Sequence, residues 1–214
     1  IVFQPYTLEE GRYLVKLARS VVEAYLTHGK IVIPENPPPR LINDNSGVFT
    51  TIETVQGEKF ELRGCIGYPE GYKNTLYATI YSAIGACCQD PRFPAMRREE
   101  LNSVVFEVSI LSPLTLLDDD PRKYLELVQV GRHGLLVKRG PYSGLLLPQV
   151  AVEECWSTEE FLIHTCVKAW LPGDWWLDRR TKLYIYEAQI FREREPNEEV
   201  YQRDLLGELA KCRK

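Results

Sequence analysis

The sequence predicts an α+β fold, mainly antiparallel sheet with packed helices. Two observations lead there. Stretches with helical spacing and stretches with strand-like spacing alternate irregularly along the 214 residues. Several of the strand-like stretches are joined by short glycine-containing turns, which is how hairpins are written in sequence. No internal repeat breaks this pattern.

The elements follow in order. Thr7 opens the first helix as an N-cap, and Glu10 at the third helical position completes a capping box. Leu14, Leu17, Ala18, Val21, Val22 and Tyr25 recur at helical spacing, so one face is buried. Gly29 stops the helix, because glycine accepts the left-handed conformation of a helix end. The prolines of "IPENPPPRLINDNSG" remove backbone donors and predict a surface crossing. "GVFTTIETV" and "FELRGCIG" form a hairpin around "QGEK". "KNTLYATIYSAIGACCQD" is the next helix, its stripe running through Leu76, Ile80, Ala83, Ile84 and Cys87. "DPRFPAM" is a turn and "REELN" a short helix or turn. In the strand "SVVFEVSILSPL", Val105, Glu107 and Ser109 alternate with Val104, Phe106, Val108 and Ile110, giving one polar-leaning face. "LELVQVGRHGLLVKRGPYSGLLLPQV" reads as three strands and two turns. "STEEFLIHTCVKAWL" is a helix capped by Ser157, with Glu160 at the third position, and "TKLYIYEAQIFRE" is a last strand. Residues 196–214 read as a charged extension, either a tail helix or a disordered end.

Composition limits the function classes. At 44% hydrophobic the chain can bury a proper core without a staple. A net charge of -4 argues against a general nucleic-acid binder, which needs an excess of Lys and Arg on one face. Six cysteines are spread without any Cys-x-x-Cys pair, which suits a reducing compartment and thiols that act mostly as small hydrophobes. The same spacing predicts no zinc site. No apolar run approaches the ~20 residues of a membrane span. The expectation is a soluble, cytoplasmic protein without a cofactor. One methionine and fourteen prolines point weakly to a heat-adapted source.

The chemistry-bearing candidates centre on "ELRGCIGYPEG". Cys65 lies between Gly64 and, after Ile66, Gly67, so the backbone there can turn sharply or approach a ligand closely. Arg63, two residues earlier, would share a strand face with Cys65 and stabilise its thiolate, or hold a carboxylate or phosphate. A buried strand end with Cys65 as filler is the alternative. In the late helix, Glu160, His164 and Lys168 share one face, so Glu160 could orient His164 as a general base. A plain salt-bridged surface accounts for the same spacing. His133 in "GRHG" reads as a turn residue. Gln149 ends an apolar strand and either caps the next helix or faces a cleft. Asp90 and Arg92 lie in the tight turn "QDPRFP". Trp170, Trp175 and Trp176 form either a docking patch or a lid on the core.

The run "LRGCIG" followed by a helix resembles the signature of the AMMECR domain family. The agreement continues through "DPRFP", "EVSILSP", "GRHGLLV", "GLLLPQVAVEE" and "EFLIHTCVKAWLP", and places an AMMECR-type domain over residues 1–195. The resemblance implies two unequal lobes, the larger made from both ends of the chain. It implies a partner of the Memo type or the radical-SAM type and leaves the biochemical activity open. The motif suspected of function corresponds to Arg63, Gly64, Cys65, Ile66 and Gly67. The resemblance implies an aspartate in many relatives at the position of His133, which argues against a catalytic His133.

Two functions then compete. One is a binding module, with a cleft around the RGCIG strand end and Arg63, Asp90, Arg92 and Gln149 as polar anchors. The other is a thiol-dependent enzyme acting on a small anionic or carbonyl compound, with Cys65 as nucleophile, His164 as base and Glu160 behind it.

Overall fold

The structure is a computed structural model that describes residues 2–118 and 120–213. It divides into two compact units. The larger joins Ile1–Leu111 to Gln189–Arg203, and the smaller joins Ser112–Ala188 to Asp204–Lys214.

In the larger unit, α1 (Leu8–His28) begins at the capping box that Thr7 and Glu10 predict, and ends at Gly29 with a left-handed φ of 66°. α2 (Pro39–Asn43) is a short helix inside the proline-rich crossing. The hairpin β1 (Gly47–Gln56) and β2 (Lys59–Tyr68) leads into α3 (Thr75–Cys88), which Asn74 caps through the Tyr77 amide. A 3-10 turn at Arg98–Ser103 precedes β3 (Val104–Leu111). With β8 (Ala188–Glu193) and β9 (Val200–Gln202), these strands form a sheet in the order β2-β1-β3-β8-β9. The pairs β1–β2, β1–β3 and β8–β9 are antiparallel.

α1 and α3 cover one face of this sheet. Val48, Ile52, Val104, Phe106, Val108 and Ile110 point into that core with Leu14, Val22, Leu76 and Ile80. A buried ion pair ties α1 to the sheet. Arg19 Nε and Nη2 donate to Glu193 at 2.8 and 2.7 Å, and Glu193 also accepts the Phe106 amide at 2.9 Å.

The smaller unit holds β4 (Thr115–Leu116), α4 (Tyr124–Leu127), β5 (Gly134–Arg139), β6 (Tyr142–Leu146), α5 (Pro148–Glu153), α6 (Thr158–Lys168), β7 (Lys182–Tyr186) and α7 (Leu205–Leu209). Its sheet runs β4-β7-β5-β6. α6 packs on it through Phe161, Leu162 and Cys166, which meet Leu135 and Val137 in a second core.

Four expectations need correction. "LELV" begins as helix α4, not as a strand, because Tyr124 seats its ring in the core and sends its hydroxyl to the Leu117 carbonyl. The last strand is two strands, β7 and β8, in two sheets. The chain leaves the first at Glu187, whose amide donates to Ser112 Oγ. The extension beyond 196 is not a disordered end: it forms the strand β9 before a helix, α7. Six separate thiols are also wrong: Cys155 and Cys212 form a disulfide across 57 residues. Cys87 and Cys166 are buried as expected.

Candidate functional site

The site forms where β2 passes over α3. A Cβ on Gly64 would stand 1.9 Å from the Ala86 carbonyl oxygen, so only glycine lets the strand rest on the helix backbone there. A Cβ on Gly67 would meet the Val48 carbonyl at 2.3 Å. Between them Ile66 lies against Gly85 of α3, which turns Cys65 to the opposite face.

On that face Cys65, Thr51 and Glu107 stand in register across β2, β1 and β3. Thr51 Oγ1 donates to Cys65 Sγ at 3.2 Å. The Cys65 amide donates to Asp90 Oδ2 at 3.0 Å. Asp90 is 4% exposed and is clasped by Arg92, whose Nε reaches Oδ1 at 3.0 Å and whose Nη2 reaches Oδ2 at 2.8 Å. The DPRFP turn is thereby lashed to the backbone of the RGCIG strand.

Arg63 does not join Cys65. The β1–β2 register pairs Ile52 with Gly64 but Glu53 with Leu62, so Arg63 is the extra residue of a β-bulge. The bulge breaks the two-residue alternation on which a shared face depends. Arg63 is engaged elsewhere, with Glu100 at 2.8 Å and the Pro94 carbonyl at 2.9 Å.

Nor is Cys65 activated. Burial pushes its thiol up to about 11, the Thr51 hydrogen bond opposes the rise, Glu107 adds to it, Arg92 opposes it, and Asp90 adds to it. Asp90 behaves in the opposite way. Burial would raise its carboxyl, but the bonds from the Arg92 side chain and from the Cys65 and Arg92 amides outweigh this and hold it at about 2.

Folding therefore favours the ionised Asp90. That contribution is complete above about pH 4 and disappears as the pH falls towards 2. It amounts to at most about 2 kcal/mol. Asp90→Asn is expected to lose this stability at pH 7 and to flatten the acid limb of the unfolding curve; urea titrations across that pH range would show it.

The remaining candidates belong to the smaller unit. Glu160 spends its carboxylate on the Ser157 amide, at 2.7 Å, in the cap of α6. His164 is exposed and stacks on the Trp156 indole, 4.0 Å between ring centres. The expected Glu160-to-His164 relay is not built, because the capping box claims the carboxylate. Gln149 is buried in the first turn of α5. His133 is buried in its turn, where Nδ1 accepts the Gln129 amide at 3.0 Å. The tryptophans divide: Trp176 is core, Trp175 lies under the Arg139 guanidinium, and Trp170 is 88% exposed.

Sequence reasoning missed Thr51, Arg192 and Arg203. Only the polar alternation of Glu107 hinted that this sheet face carries charge. Among the described residues no group of three or more His, Cys, Asp or Glu is placed to hold a metal, and no helix is long and apolar enough to cross a membrane.

The AMMECR1 family model matches residues 15–191. The chain belongs to the AMMECR1 family. The match stops before β9. This AMMECR1 chain is 98% identical over 213 residues to a protein of Pyrobaculum arsenaticum, covering 100% of each. It is 48% identical to protein MJ0810 of Methanocaldococcus jannaschii, over 94% of this chain and 98% of that one. Among solved structures it resembles the crystal structure of uncharacterized protein PH0010 from Pyrococcus horikoshii. The TM-score is 0.88 at 45% identity, over 92% of this chain and 97% of that one.

Proposed function

We propose that the larger unit is a binding module, with the RGCIG strand end as its backbone-shaped pocket and a neutral Cys65 thiol on the pocket wall. The observation that carries this reading is the environment of Cys65. It is half-buried and hydrogen-bonded by Thr51, and its backbone is fixed by Asp90. Two carboxylates, Glu107 and Asp90, oppose thiolate formation, and burial opposes it more. A nucleophilic cysteine needs the reverse surroundings. A protein partner of the Memo or radical-SAM type, which the family resemblance suggests, would bring the chemistry to this module.

The test is the pH profile of Cys65 alkylation, resolved by peptide mass spectrometry. A midpoint well above the ordinary value of about 8.5 is expected. A midpoint below it would overturn the binding-module reading in favour of a thiol-dependent enzyme. In urea unfolding Cys65→Ser is expected to keep the fold. Gly64→Ala should destabilise by about 1–3 kcal/mol, because the new methyl must displace the Ala86 carbonyl.

A further inference from the structure

Cys87 and Cys88 stand side by side at the end of α3, with their sulfurs 2.7 Å apart. Cys87 is buried and Cys88 is half-buried. Burial, and then the neighbouring sulfur, hold the Cys87 thiol above its ordinary value. Cys88 is therefore the sulfur that meets a reagent from solvent, with Cys87 behind it. The pair also sits at the root of the RGCIG corner. Ala86, immediately before it, supplies the carbonyl on which Gly64 rests. Asp90, two residues after it, accepts the Cys65 amide. The Cys87 carbonyl accepts the Met96 amide at 2.8 Å, which closes the DPRFP turn. The Gln89 amide donates to the Gly85 carbonyl at 2.8 Å, which closes the helix. A twist of the 87–88 peptide passes into both supports of the Cys65 backbone.

We infer that Cys87 and Cys88 are a thiol–disulfide switch, and that its ring form loosens the RGCIG corner. The inference rests on the reading of that corner as a binding site and names its regulation. The oxidant is a small disulfide. Cys88 attacks one of its sulfurs as the thiolate, and a first thiol departs. Cys87 then attacks the Cys88 sulfur, the bond between them forms, and a second thiol departs. The protons of the two cysteines leave with the two thiols, and the two electrons reduce the oxidant. Adjacent Cα atoms on a trans peptide stand about 3.8 Å apart, below the separation of roughly 4.4–6.8 Å in a relaxed disulfide. The ring therefore forces the 87–88 peptide out of helical geometry. Its strain makes it easily reduced, so the switch is reversible.

The test treats the full chain with excess hydroxyethyl disulfide and maps the thiols by peptide mass spectrometry. A peptide holding Cys87 and Cys88 that has lost two hydrogens is expected, and dithiothreitol should restore it. In the oxidised chain Cys65 should alkylate about tenfold faster, the factor that goes with losing one hydrogen bond to a charged group. Cys88→Ser should abolish the response. Cys87→Ala, which keeps a small apolar side chain in the core, should abolish it too and decides the matter if the serine variant does not fold. Two free thiols under excess disulfide overturn the inference. So does a mixed disulfide that stops at Cys88, or a ring that leaves the Cys65 rate unchanged. A low Cys65 alkylation midpoint before oxidation would sink the binding-module reading and leave the switch standing. A high midpoint with a Cys65 rate that oxidation does not change would do the opposite.

Discussion

Replacing Glu193 with alanine is expected to cost about 3–5 kcal/mol, a large share of the stability of any domain. The carboxylate is fully buried and accepts from Arg19 Nε, Arg19 Nη2 and the Phe106 amide. Without it Arg19, 6% exposed in the native fold, keeps the carbonyls of Leu101 and Val104 and the face of the Phe106 ring but loses its buried counter-charge. An uncompensated charge in that position outweighs the lost packing. Removing both partners should be far milder. Arg19→Met combined with Glu193→Leu replaces a desolvated pair with apolar volume and is expected to fall within about 1–2 kcal/mol of the wild type. Urea unfolding of the two single variants and the double variant gives the comparison. A double variant as unstable as Glu193→Ala alone would mean that the pair acts through geometry, not charge.

The second large effect concerns the smaller unit. The Cys155–Cys212 disulfide spans 57 residues, and closing a loop of that length stabilises by about 4 kcal/mol in the chain-entropy description. Cys212→Ser is expected to lower the thermal midpoint and to make it insensitive to dithiothreitol. The wild type should fall to the variant's midpoint on reduction. Equal midpoints for the oxidised wild type and the variant would show that the bridge constrains little.

The capped helices were legible because their signals are local. Thr7 with Glu10, and Ser157 with Glu160, each lie within one turn, and the structure returns both boxes. The hairpin around Gly57 and the core alternation of β3 were legible for the same reason. What escaped the sequence depends on distant partners. A disulfide between residues 155 and 212 leaves no spacing motif. β7 and β8 read as one strand because nothing within "TKLYIYEAQIFRE" records that the chain changes sheets at Glu187. At the site, Gly64 and Gly67 were visible as positions of close approach, but the bulge at Arg63 was not. That one extra residue overturned the expected Arg63–Cys65 pairing and left Arg92, from the DPRFP turn, as the cation beside the thiol.

The order in which the units draw on the chain has a consequence for synthesis. The larger unit needs residues 189–203 and the smaller needs 204–214, yet each begins much earlier. A nascent chain that has reached residue 188 therefore holds neither unit whole. β1, β2 and β3 must wait, with the charged face of the sheet unfinished, until Arg192 and Arg203 emerge from the ribosome. Cys155 stays reduced or finds a wrong partner until Cys212 follows. Completion of both units is compressed into the synthesis of residues 189–214, which makes that segment the point at which assembly either succeeds or fails.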